Sequence, residues 1–170
     1  MTFDPFKNPR KQIRLPGYNY KTPGYYFVTF CTEKRLCLFG KIINGNLLHS
    51  EAGKLVHRIF KNLRHFYFGV HIDTFVVMPD HIHAIIVIRQ ERQSPQSPLT
   101  GHSLADVIKN IKTYTTTCYT KGVYQKNWKP FCKRLWQRGY YEIIIRDPKS
   151  LPRIRKYIIQ NPLYWKVSKK

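Results

Sequence analysis

The chain predicts an α+β fold: a ferredoxin-like split βαβ sandwich, an antiparallel sheet with helices on one face, plus an added C-terminal helix. Three observations carry this. An alternating pattern at residues 24–35, and apolar, β-branched runs at 70–78, from 81 onward and at 135–146, read as strands. Helical periodicity separates the first strand from the second, and the third from the fourth. A further helical stripe follows the last strand. With 170 residues and no internal repeat, the chain reads as one domain with a basic arm at 1–20 and a polar loop at 89–102.

Each element has its own signal. "GYYFVTFCTEKR" alternates aromatic or β-branched residues with polar ones. "CLFGKIINGNLLHS" carries glycine-containing turns and predicts a small hairpin ending near Leu48. Ser50 stands where a helix cap is needed, with Ala52, Leu55, Val56, Ile59 and Leu63 on one face of a helix reaching about residue 66. "VHIDTFVVM" is strand-like, Pro79-Asp80 signals a turn, and the next strand starts at His81. Ser103 and Asp106 have capping-box spacing ahead of Leu104, Val107, Ile108 and Ile111. Residues 135–146 predict the last strand, and a helix then reaches about residue 160.

Charge sets the partner class. Thirty Lys and Arg against nine Asp and Glu give a formal charge of +21, spread over the whole chain. Such a field favours a polyanion, and aromatics interleaved with basic residues suit splayed, stacked bases. No apolar run approaches the roughly 20 residues that span a bilayer, and the first residues lack a signal-peptide core, which predicts a cytoplasmic, nucleoid-associated protein with no membrane partner. Cys31, Cys37, Cys118 and Cys132 form no C-x-x-C pair and read as ordinary thiols.

Two stretches hold candidate chemistry. In "HIHAIIVI", His81 and His83 share one strand face, while Ile82, Ala84, Ile86 and Ile88 take the other. Two imidazoles at the mouth of an apolar strand suit one divalent cation, or else a hydrogen-bonded semi-buried pair. In "IRKYIIQNP", Ile154, Tyr157, Ile158 and Asn161 form one helical stripe whose isoleucines need to pack on the sheet. Asn161 offers a hard oxygen to Mg²⁺ or Mn²⁺, and Tyr157 offers a nucleophile. The plain alternatives are a core tyrosine and an asparagine that ends the helix before Pro162. Pro148 and Pro152 place the regular start of this helix near residues 150–152.

The chain resembles the REP-associated tyrosine transposases, single-tyrosine enzymes of the HUH class. The likeness rests on "RLPGYNYKTPGYYFVTFCT", "DTFVVMPDHIHAIIV", "SLADVIKNIKTYTT", "LWQRGYYEIIIRD" and "RKYIIQNP", in that order and spacing. It implies that His81 and His83 bind a divalent metal, Mg²⁺ or Mn²⁺, with Asn161 as third ligand. Gln160 is a rival, because related transposases often carry Gln there. It implies Tyr157 as the nucleophile, forming a 5′-phosphotyrosine link on single-stranded DNA beside a hairpin, and rejoining strands without ATP. Tyr114, the other tempting tyrosine, reads as a base-stacking, backbone-binding or packing residue. Arg14, Lys109, Lys112, Lys121, Lys133, Arg134 and Arg138 are offered as phosphate contacts, with Trp136, Tyr140 and Tyr141 as stacking partners. The basic arm at 10–14 would track DNA. A homodimer with a swapped final helix stays open.

Two rivals share these features. One is a module of the same fold that grips hairpin DNA or RNA without cutting it. The other is a zinc hydrolase that activates water with His81, His83 and a third side chain and leaves no covalent adduct.

Overall fold

The computed structural model describes residues 15–65, 67–90 and 102–165. Within them lie strands β1 (Gly24–Cys31), β2 (Gly40–Ile43), β3 (Asn46–His49), β4 (Val70–Val77), β5 (His81–Ile88) and β6 (Tyr141–Ile145). The helices are α1 (Glu51–Lys61), α2 (Leu104–Lys126) and α3 (Leu151–Tyr164). Four strands form one sheet in the order β4-β5-β1-β6, with every neighbouring pair antiparallel. That is the strand order of the predicted ferredoxin-like plan. Arg14 and the arm before it lie outside the described residues, as does most of the polar loop, 91–101.

Local chemistry explains the elements. Asn44 and Gly45 both take positive φ, 50° and 75°, in the two-residue turn that twists β2 onto β3. The Gly53 amide donates to Ser50 Oγ at 3.1 Å, and that hydroxyl donates to the Leu38 carbonyl at 2.9 Å, so one serine caps α1 and ties it to the hairpin. At α2 the predicted cap forms, with its second bond from the hydroxyl rather than from the backbone: the Asp106 amide donates to Ser103 Oγ at 3.1 Å, and Ser103 Oγ donates to Asp106 Oδ2 at 2.5 Å.

Boundaries depart from the sequence reading in four places. β1 ends at Cys31 rather than at 35, because Lys34 and Arg35 adopt left-handed φ of 55° and 56°. α1 stops at Lys61, and a short 3-10 turn, Leu63–His65, takes the chain onward. Residues 135–140 are not strand; only Trp136 makes an isolated bridge, to Thr32. The Lys112 ammonium takes the Gln137 and Gly139 carbonyls, at 2.9 and 2.8 Å, which a regular ladder would have used. α3 runs through Pro162 to Tyr164, past the predicted end near 160. So near the helix terminus, the missing proline N–H costs a single hydrogen bond. Its start matches: Asp147 caps a 3-10 turn, Pro148–Ser150, and Pro152 falls in the first turn, where no donor is needed.

The sheet separates two apolar clusters. Tyr26, Val28 and Phe30 of β1, with Ile82, Ala84, Ile86 and Ile88 of β5, pack under α1 and α2. Phe27 and Ile85, on the other face, pack against Ile154 and Ile158 of α3, all four 2% exposed or less. The added helix therefore covers the face opposite the two crossover helices. Fully burying each isoleucine contributes about 1.5–3 kcal/mol, which anchors α3.

Candidate active site

β5 is buried along its whole length, yet its first residues are histidines. His81 and His83 are 4% and 2% exposed, and each needs a polar partner at that burial. Both find one at Nδ1, the ring nitrogen nearer the backbone. His81 Nδ1 lies 2.6 Å from Asp80 Oδ1, and Asp80 Oδ2 in turn accepts from Arg35 Nε at 2.9 Å. His83 Nδ1 lies 2.6 Å from the Thr29 hydroxyl, which β1–β5 register sets directly opposite.

A carboxylate only accepts, so His81 carries its proton on Nδ1, and a neutral ring then has its lone pair on Nε2. That Nε2 faces His83 Nε2 at 3.0 Å. Burial, reinforced by His81 and Arg35, pushes His83 well below the ordinary imidazole value, so this ring is neutral near pH 7. Two ligand nitrogens about 2.1 Å from one ion at about 90° stand about 3.0 Å apart. The contact is itself a hydrogen bond, His83 Nε2–H donating to His81 Nε2, and its length is also that between two ligands on a common cation.

α3 brings the tyrosine. The Tyr157 ring meets the His83 ring edge-on at 5.4 Å and the Phe27 ring at 6.1 Å. Three contacts fix the direction of the helix. Arg155 pairs with Asp73 on β4, and Tyr157 lies beside His83, whose β4 partner is Val76. Leu163 comes next to Gly45 of the hairpin, whose far end is held by His49 Nε2 donating to the Val77 carbonyl at 3.0 Å. α3 therefore runs toward the end of the sheet where β5 begins. Asn161 is half-buried, one turn beyond Tyr157 on the same stripe; Gln160, also half-buried, is turned aside from it.

Other sequence candidates separate by location. Tyr141 is opposite Thr29 and packs in the α3-side cluster, so it flanks the histidines across β1. Lys133 and Arg138 are exposed in the segment entering β6, and Arg134 lies 3.5 Å from Glu33. Lys109, Lys121 and the 47% exposed Tyr114 belong to α2, on the opposite side of the sheet. Tyr140 packs against the α1/α2-side cluster with its ring under the Lys112 ammonium.

Two assignments need correction. Trp136 is 4% exposed, and its indole donates to Thr115 Oγ1 at 2.9 Å, with the Phe30 ring edge-on at 5.0 Å and the Phe39 ring tilted against it at 5.1 Å. It is a core residue with no face for a base. Lys112 is a structural cation: burial lowers its pKa to about 8, and it spends two donors on the 137–139 backbone. Sequence reasoning also missed the supports Asp80, Arg35 and Thr29. Asp80 was findable as a carboxylate adjoining the histidine pair, whereas Thr29 is revealed only by strand register.

Among the described residues, no group of three or more His, Cys, Asp and Glu side chains could hold a metal ion, and no helix is long and apolar enough to cross a membrane. Residues 23–161 match the family of IS200-like transposases. A Haemophilus influenzae protein, named only as uncharacterized, is 37% identical over 168 residues, covering 92% of this chain and 89% of its own. A REP-associated tyrosine transposase, solved bound to a REP hairpin, superposes with a TM-score of 0.59 at 19% identity, over 86% of this chain and 70% of that one. That second likeness is one of fold.

Proposed function

The chain belongs to the IS200-like transposase family, and we propose that it nicks and rejoins single-stranded DNA beside hairpins through a covalent tyrosine intermediate. The observation that carries the reading is the meeting of three side chains: two buried imidazoles with Nε2 atoms 3.0 Å apart, and the Tyr157 ring 5.4 Å from His83.

His81 and His83 would hold a divalent ion, Mg²⁺ or Mn²⁺, and Asn161 would complete the protein ligands. Strand and helix spacing support Asn161 over Gln160. Four helical residues advance about 6 Å, and the two strand residues from His83 back to His81 span about 7 Å. With Tyr157 beside His83, Asn161 falls level with His81. When bound, the ion would relieve negative charge on a non-bridging phosphate oxygen. Asp80 and Thr29 fix both imidazoles, so each presents Nε2 without having to reorient.

The Tyr157 hydroxyl would attack phosphorus, lose its proton, and replace the 3′ oxygen, which leaves as a 3′-OH once protonated. The phosphodiester becomes a 5′-phosphotyrosine diester of similar energy. A 3′-OH from another strand can therefore reverse the step, with no ATP consumed. Lys133, Arg134, Arg138 and Tyr141 form the approach from β6 and would hold the backbone and a base near the cut. The fold likeness to a protein solved on a REP hairpin supports a hairpin-bearing strand as substrate.

The test mixes labelled single-stranded hairpin oligonucleotides with the protein and Mn²⁺ or Mg²⁺ on a denaturing gel. Label retained by the wild type, but by neither Tyr157→Phe nor His81→Ala, is the expected result. Tight binding without cleavage in either metal would instead mark a non-cutting hairpin module. Cleavage without adduct would mark a water-activating hydrolase.

A further inference from the structure

α3 is fixed to the sheet by more than its isoleucines. Arg155 makes a two-pronged pair with Asp73, Nε to Oδ2 at 2.8 Å and the second nitrogen to Oδ1 at 2.5 Å. The carboxylate is 15% exposed and also accepts from the Thr74 hydroxyl at 2.9 Å, so it is held as well as paired. Its position is unusual. Ile72 pairs with Ile86 and Thr74 with Ile85, which makes Asp73 the extra residue of a β-bulge. A bulge re-aims a side chain that a regular strand would send elsewhere. Here it turns a carboxylate on an edge strand toward a helix, two residues ahead of Tyr157. Both prongs must align at once, so the pair constrains the helix along its axis and about it, whereas greasy contacts alone permit sliding.

We propose that the Arg155–Asp73 fork is a positioning device that sets where Tyr157 stands over the histidine pair. It touches neither DNA nor metal; it acts through the helix. The inference rests on Tyr157 being the nucleophile. A misplacement on the order of 1 Å costs about 100-fold in rate when geometry is the contribution, so the effect belongs in the chemical step.

The experiment uses the full chain with a hairpin oligonucleotide and Mn²⁺. It measures the single-turnover rate of covalent adduct, the oligonucleotide Kd, and amide hydrogen exchange in α3. Arg155→Met and Asp73→Asn should each slow adduct formation about 10- to 100-fold, with Kd within about twofold. Exchange in residues 154–161 should rise while that in β5 does not. The charge-reversed pair, Asp73→Arg with Arg155→Asp, should recover much of the rate. Adduct rates within twofold of wild type in both single variants would overturn the proposal. So would Kd weakening in parallel with rate, which would make Arg155 a DNA contact. Tyr157→Phe runs alongside: adduct surviving that change would remove the nucleophile reading itself, whereas an intact Tyr157 dependence with an indifferent fork removes only the positioning role.

Discussion

The two faces of the sheet are built on different terms. Under α1 and α2, β1 and β5 contribute an unbroken apolar surface, and the aromatic cluster of Phe30, Phe39, Tyr119 and Trp136 fills the space. Under α3 the apolar contact is confined to Phe27, Ile85, Ile154 and Ile158 with partly buried neighbours, and it gives way to His81, His83 and Thr29 at one end. The first face can be optimised for burial alone. The second has to hold a helix firmly while keeping polar side chains at the same surface, which explains why an ion pair supplements its isoleucines. The crossover helices close the larger apolar cluster, whereas the added helix borders the polar end of the sheet, where the proposed chemistry would sit.

Substitutions sharpen this division. Trp136→Ala should have the largest effect on folding, costing about 3–5 kcal/mol, because it empties a central volume and removes the indole bond to Thr115, whose hydroxyl keeps only the Ile111 and Lys112 carbonyls. Urea denaturation would measure it, and a loss below 1 kcal/mol would return Trp136 to the surface role that its sequence suggested. Ile158→Ala should cost about 2–5 kcal/mol by the same measurement. Its signature is an additional loss of adduct formation that Trp136→Ala, assayed where it remains folded, does not share.

Asp80→Asn should lower Mn²⁺ affinity by about 10- to 100-fold with little change in folding, since it removes the carboxylate that orients His81. Calorimetric titration would read this, and unchanged affinity would mean that His81 needs no such support. Acid should act through His83. Its pKa is depressed in the fold, so the unfolded chain binds its proton first, and stability is whole above the ordinary imidazole value. Unfolding scans without metal should therefore show stability falling as pH drops below about 6.5, a loss reduced in His83→Gln and completed by His57, which burial also depresses. Arg138→Ala should be the mildest, weakening oligonucleotide binding with no change in thermal midpoint, as befits an exposed cation.

Much of this architecture is legible in the sequence. The caps at Ser50 and Ser103 are short-range rules, and the structure keeps both. The placement of His81 and His83 on one face follows from strand parity, and that of Tyr157 with Ile154 and Ile158 from helical parity. The reading failed where a distant group overrode local pattern. Lys112 takes the carbonyls that would have extended β6, and neither partner signals the other in sequence. Trp136 looked like a surface aromatic because basic residues flank it, but Thr115, 21 residues earlier, supplies the acceptor that lets an indole be buried. Thr29 and the bulge at Asp73 depend on register, which no single strand reveals.

A nucleophilic Tyr157 would become covalently joined to DNA. Digesting the protein–oligonucleotide product with protease and nuclease, then weighing the peptides, tests it most directly. A nucleotide phosphate on the peptide bearing Tyr157, formed with Mn²⁺ and absent without it, is the predicted result. The same mass on the peptide bearing Tyr114, or cleaved DNA with every peptide unmodified, would contradict it.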